Sequence, residues 1–223
     1  MYKFVKYIKE IIMGQHIFKK FNKNYKLIIY IPWMDYAVLI RHGESYTNRT
    51  GILSRDLNKY GLTETGEEMA RFTGEQLKNL KFTGIISSPV LRAVQTSKIL
   101  ASYVNLDITV DNRAIESDFG VYDGKRIIEI PNKKREELGM ESFQSQMERM
   151  IDLINSYDGR YIIVSHAFPI RCAICYYLDL NEEESFGIDI RYASMSFIDV
   201  KRKKPLSIGS LLITDRIKKI FKS

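Results

Sequence analysis

The chain is short of cysteine, histidine and long apolar runs, and each shortage removes a class of explanation. Cys172 and Cys175 are the two cysteines in 223 residues. No disulfide framework can hold such a fold, and a reducing, cytoplasmic setting is the expectation. The nearest approach to a membrane span, Leu27 to Trp33, falls far below the roughly 20 apolar residues that a spanning helix needs. There is no internal repeat and no low-complexity segment. Histidine is limited to His16, His42 and His166, so any imidazole chemistry must draw on those three.

What is present is an ordinary globular composition, 45% hydrophobic and 27% charged, with a net charge of +7 that is unevenly spread. Seven lysines against Glu10 give residues 1–33 a charge of +6, and eight Lys or Arg against Asp215 give residues 201–223 +7. The body between them carries −6. Nucleic-acid binding is therefore not expected of the part that would hold the chemistry, and the basic ends read first as solvated charge. Residues 1–33 form a basic extension ahead of a single domain expected over 34–223. Two readings of it stay open. Either translation starts naturally at Met34, or the segment is amphipathic, with Phe4, Ile8, Ile11 and Ile12 sharing a helical face suited to a membrane surface or to the domain. It has no small-residue cleavage site of a secretory signal.

Hydrophobic periodicity predicts strands at 36–40, 84–88, 106–110 and 161–165, with closing strands at 194–200 and 206–214. Helices are expected from about 63 to 80, with Met69, Phe72 and Leu77 as apolar positions, then over 90–103, 141–157 and 169–178. Residues 111–135 read as irregular. Strands alternating with helices predict an α/β fold, a three-layer sandwich with a mainly parallel sheet and helices on both faces. In such a sheet chemistry gathers at the carboxyl ends of the strands. Arg41-His42, Ser87-Ser88 and Ser165-His166 each close a predicted strand, so all three clusters are expected on one edge. The Cys172/Cys175 pair lies in a predicted helix with no second ligand pair, and buried helix cysteines are the expectation.

Arg41-His42-Gly43-Glu44-Ser45 with Asn48, Leu62-Thr63-Glu64-Thr65-Gly66, Ser87-Ser88-Pro89-Val90-Leu91-Arg92-Ala93-Val94-Gln95-Thr96, Glu116 with Phe119-Gly120, and Val164-Ser165-His166 with Ile170-Arg171 together resemble the histidine phosphatase superfamily, which includes cofactor-dependent phosphoglycerate mutase. The match spans about Tyr36 to Val200 in the family's order. A lone Arg-His-Gly would carry little weight; five separated motifs carry much more.

The resemblance implies that His42 is the nucleophile that becomes phosphohistidine, a backbone acceptor fixing its tautomer. It implies that Arg41 and Arg92 grip the phosphoryl oxygens, where a planar guanidinium suits bidentate contact. His166 is implied as a further donor, and Asn48 and Ser45 as neutral substrate-binding donors. Glu116 is implied as the general acid, with Asp118 and Asp123 as competing carboxylates. No metal and no cofactor is expected, since the two guanidiniums and the second imidazole supply the positive charge. The partner expected is a small phosphorylated substrate; nothing in the sequence specifies an oligomeric state. Ala167-Phe168-Pro169 departs from the commoner Gly-Gly after this histidine, and Phe168 is expected to shape the leaving-group pocket.

Glu116 and His166 are separated by 50 positions, where the mutase branch carries a long basic insertion. A short, open cap favours water as acceptor, so a phosphatase is expected over a mutase. Lys125-Arg126 and Lys133-Lys134-Arg135 either hold an acidic substrate or are plain surface. A non-catalytic phospho-ligand binding protein on the same fold is disfavoured because every implied catalytic position is filled.

Overall fold

The computed structural model describes residues 18–21, 27–30 and 34–222. Of the basic extension it describes an antiparallel ribbon, β1 (Phe18–Phe21) against β2 (Leu27–Tyr30). The face expected through Phe4, Ile8, Ile11 and Ile12 lies outside the described residues.

Six further strands form one sheet: β3 (Met34–Arg41), β4 (Gly84–Ser87), β5 (Ile108–Val110), β6 (Gly159–Ser165), β7 (Met195–Asp199) and β8 (Lys204–Ser210), in the order β5-β4-β6-β3-β7-β8. The first four in that order run parallel, and β7 and β8 are antiparallel additions. The period of two explains the apolar run in β3. Ala37 and Leu39 pack into one core cluster, Val38 and Ile40 into the other, and all four are fully buried.

Helices cover both faces. They are α1 (Tyr46–Thr50), α2 (Glu64–Leu77), α3 (Leu91–Val104), α4 (Phe143–Asn155), α5 (Ala167–Leu178), α6 (Glu182–Ser185) and α7 (Asp215–Lys222). On one side α4 contributes Met150, Leu153 and Ile154, and α5 contributes Ile170, Ala173 and Ile174. On the other, α2, α3 and α7 contribute Leu77, Leu100 and Phe221. The result is the expected three-layer α/β sandwich. Cys172 and Cys175 are free and buried within α5.

Two sequence expectations change. In α2 the buried face is Gly66, Ala70, Thr73, Gly74 and Leu77, while Phe72 is exposed. Small residues win because this helix packs backbone-close: a Cβ on Gly74 would run into the Tyr103 ring, and one on Gly66 into the Glu44 carbonyl. The strand expected over 206–214 ends at Ser210, whose hydroxyl donates to the Leu212 carbonyl at 2.6 Å and closes a turn. Ile213, Ile217 and Phe221 then recur at four-residue spacing and seat α7 on the sheet, with its lysines outward.

Phe221 is fully buried, with ring centroids of Tyr36, Phe82 and Phe197 at 5.2, 5.3 and 5.5 Å. Phe221→Ala should destabilise the domain by about 3–5 kcal/mol, the usual cost of emptying a buried aromatic site. Urea denaturation checks this, and a loss below about 1 kcal/mol would mean that α7 is not anchored as described.

Candidate active site

The sheet register decides which residues meet. Arg41 pairs with Ser165 and Ser87 with Val164, so the residues following these strand ends, His42, Ser88 and His166, emerge side by side. Hydrogen bonds continue past the strands. The His42 N–H donates to the Ser165 carbonyl at 3.0 Å and the Ser88 N–H to the Val164 carbonyl at 2.9 Å. The two imidazoles end with ring centroids 5.0 Å apart, edge to face.

Gly43 makes the loop after His42 possible, because a Cβ there would strike the Gly66 carbonyl at the start of α2. Thr63 caps that helix by accepting the Gly66 N–H at 3.0 Å and donates its hydroxyl proton to the Glu44 carboxylate at 2.7 Å. Thr96 ties the loop to α3, accepting the Gly43 N–H at 3.1 Å while donating to the Arg92 carbonyl at 2.8 Å.

His42 is 2% exposed, and its Nδ1 lies 2.6 Å from the Gly43 carbonyl. A carbonyl can only accept, so Nδ1 carries the proton and the Nε2 lone pair faces the cavity. Arg92 approaches that lone pair, its Nε donating to His42 Nε2 at 3.1 Å. Its Nη2 donates to the Ser54 carbonyl at 2.9 Å and to His166 Nδ1 at 3.1 Å. Arg92 Nη1 and Arg41 Nε are buried donors without a partner among the described residues. Arg41 is braced from behind, its Nη1 donating to the Ile190 carbonyl at 2.8 Å and its guanidinium lying 4.0 Å from the Tyr192 ring centroid.

Burial, then Arg92 and Arg41, holds the His42 pKa well below its ordinary value. Burial, then Arg92 and His42, does the same for His166. Burial also lowers both guanidinium values, with Glu116 acting in the opposite direction, and both remain cations. The centre is thus two neutral imidazoles between two arginines.

Residues 112–140 form a cap of short 3₁₀ turns over this edge. The Leu53 and Ile127 N–H groups donate to the Lys125 and Gly51 carbonyls at 2.9 and 2.8 Å, clamping the cap to the loop after α1. The cap places Glu116 Oε2 3.5 Å from His166 Nδ1 and 3.7 Å from Arg92 Nη2. Asp118 and Asp123 turn instead to Arg55. Together these elements enclose a cavity of about 670 Å³ lined by Arg41, His42, Asn48, Arg92, Glu116 and Phe168, among others.

Ser45 is not brought to the cavity. It is fully buried at the N-cap of α1, its hydroxyl engaged with Thr47 Oγ1 and Asn48 Oδ1, both at 2.8 Å. Sequence reasoning missed the Ser54 carbonyl, Tyr192 and Thr96. A main-chain acceptor leaves no sequence signal, and Tyr192 comes from a loop far from any motif. Arg135 and Arg171 also line the cavity, together with Lys133. Arg135 lies 4.2 Å from the Phe168 ring centroid and leaves its Nη2 buried without a partner.

Residues 37–208 match the sequence profile of the histidine phosphatase superfamily (branch 1). The chain is 38% identical over 195 residues to the 2,3-bisphosphoglycerate-dependent phosphoglycerate mutase of Thermoplasma acidophilum, covering 83% of this chain and 98% of that protein. It is 29% identical over 187 residues to phosphoserine phosphatase 1 of Hydrogenobacter thermophilus, covering 75% and 87% respectively. Its fold resembles that of the alpha-ribazole phosphatase from Shigella flexneri, with a TM-score of 0.67 and 22% identity over 80% of this chain and 98% of that one. The chain belongs to the histidine phosphatase superfamily.

Two histidines kept neutral by burial make stability depend on pH. Their folded values lie below the ordinary 6.5, so the unfolded chain takes up protons first as pH falls. Stability should therefore be full above about pH 6.5 and fall below it, by about 1.4 kcal/mol per pH unit for each histidine. Urea denaturation at pH 7.5 and 5.5 measures this. The slope should flatten in a His42→Gln/His166→Gln variant, and an equal slope in that variant would refute the assignment.

Proposed function

We propose that this member of the histidine phosphatase superfamily moves a phosphoryl group from a small phosphorylated carboxylic acid onto His42 and then to a hydroxyl of a second such acid, as a phosphoglycerate mutase does. The observation that carries this reading is the charge of the cavity wall. Arg41, Arg92, Lys133, Arg135 and Arg171 face one carboxylate, Glu116. A phosphate monoester uses only part of that excess, and Arg135 keeps a buried N–H group unpaired, as a site for a second anionic group would. Phosphoglycerate and phosphoserine, the substrates in the names of two relatives, each carry a carboxylate beside the ester.

In this reading His42 Nε2 attacks phosphorus as the ester P–O bond breaks, and Glu116 gives its proton to the leaving oxygen. Arg41, Arg92 and His166 hold the charge that builds on the phosphoryl oxygens. Glu116 then takes a proton from the acceptor as the acceptor oxygen attacks phosphohistidine. The donor named for the Thermoplasma relative, a bisphosphorylated glycerate, would supply the phosphoryl group that primes His42. Arg41 and Arg92 fit one of its phosphates, and Arg135, Arg171 and Lys133 fit further anionic groups.

The short cap no longer argues against a mutase, because this chain covers 98% of a mutase of similar span. Hydrolysis stands as the second reading on one observation. A cavity of about 670 Å³ has room for about twenty waters at ~30 Å³ each, so a three-carbon acid leaves space for water to act as acceptor.

Incubation with 3-phosphoglycerate and a trace of 2,3-bisphosphoglycerate separates the two. Formation of 2-phosphoglycerate without matching phosphate release is expected, and phosphate release outrunning isomerisation would overturn the mutase reading. Arg135→Ala should raise KM for phosphoglycerate about tenfold or more, the loss of a charged hydrogen bond, while leaving turnover of an aryl phosphate with no carboxylate within about twofold.

A further inference from the structure

Ser88 follows directly on β4 and is fully buried. Its hydroxyl oxygen lies 2.8 Å from Nε2 of His166, the ring nitrogen turned away from the cavity. The same oxygen accepts the Val90 N–H at 3.3 Å. One lone pair is thereby used, and one lone pair and one proton remain for the imidazole.

The other ring nitrogen has two incompatible duties. In the structure Arg92 Nη2 lies 3.1 Å from His166 Nδ1, and a guanidinium can only donate. Nδ1 is therefore bare and Nε2 carries the proton, which it donates to Ser88. A phosphoryl group gripped by Arg41 and Arg92 presents only acceptor oxygens, and against those Nδ1 must carry a proton. The groups around the ring allow the change. Burial and then Arg92 disfavour a charged ring, Glu116 Oε2 stands 3.5 Å from Nδ1, and a bound phosphate adds negative charge.

We propose that Ser88 is a positioning residue whose rotatable hydroxyl holds His166 Nε2 in both states, accepting its proton in the empty site and accepting or donating when phosphate binds, so that Nδ1 can turn from acceptor to donor. This rests on the reading above that the phosphoryl group sits between Arg41 and Arg92. Fixed acceptors or donors do not serve as well. A carboxylate at position 88 would bury charge, and an apolar side chain would leave Nε2 unpaired in both states.

The test reads the His166 ring directly. In protein labelled with ¹⁵N-histidine, Nδ1 should be unprotonated without ligand and protonated at saturating inorganic phosphate, with Nε2 paired in both. Ser88→Ala should lower kcat by on the order of ten- to a hundredfold, the rate equivalent of one unpaired buried nitrogen. It should also weaken the phosphate-induced protonation of Nδ1. Ser88→Thr, which keeps the hydroxyl, should restore kcat to within about threefold of wild type. A wild-type ring whose Nδ1 stays bare with phosphate bound would overturn the proposal. So would a folded Ser88→Ala protein with kcat within twofold of wild type. Either result leaves the phosphoryl-transfer reading standing, since that reading fails only if the wild-type protein forms no phosphohistidine and turns over no phosphate ester. The wild-type spectra decide the matter even where a variant does not fold.

Discussion

A buried cation held without a full counter-charge is the constraint around which this protein is built. Arg92 is 2% exposed, and its nearest carboxylate oxygen, on Glu116, is 3.7 Å away. Taking a guanidinium out of water costs several kcal/mol unless hydrogen bonds and charge replace the lost solvent. Here two imidazole nitrogens and the Ser54 carbonyl replace part of it. The imidazoles can do so only while neutral, which their burial ensures. The remaining deficit is Arg92 Nη1 and Arg41 Nε, which have no partner among the described residues.

That arrangement sets demands on the rest of the fold. Three strand ends must arrive in one register, so the central strands are fully buried and their side chains divide between the two cores by simple alternation. The loop carrying His42 must lie against the start of α2 with no side chain between them, which fixes glycine at positions 43 and 66. The cap must bring Glu116 close while keeping Asp118 and Asp123 away, and Arg55 holds both of these outside the cavity. Stability and chemistry are therefore not separable at this edge. The same burial that suppresses protonation of His42 keeps the Nε2 lone pair bare of a proton.

Charge is arranged in two tiers. The long-range excess sits at the two ends of the chain, and part of it is carried outward on α7, whose apolar side closes one core. The short-range excess lies in the cavity wall, where Lys133, Arg135 and Arg171 join Arg41 and Arg92. The first tier bears on what surfaces the protein meets. The second bears on what the cavity admits, since a basic wall attracts anions.

The sequence by itself determined the α/β sandwich and the convergence at its edge, because βα alternation and strand-ending motifs are local patterns with a fixed period. It also identified His42, Arg41, Arg92, His166, Glu116 and Asn48 as a set, and the fold brings five of them to one cavity with His166 buried behind it against Arg92 and Glu116. Of the apolar positions it offered for α2, Leu77 is buried and Phe72 is exposed, since glycine and threonine take the inward face once a close-packed neighbour is present. It carried the last strand on to residue 214, although Ile213, Ile217 and Phe221 have a helical spacing that only the aromatic seat of Tyr36, Phe82 and Phe197 makes decisive. Tertiary structure alone decided that Ser45 spends its hydroxyl within α1, that a backbone carbonyl of Ser54 anchors Arg92, and that Ser88 reaches His166. Each of these depends on where the main chain passes, or on residues tens of positions apart, and no local periodicity encodes such a meeting.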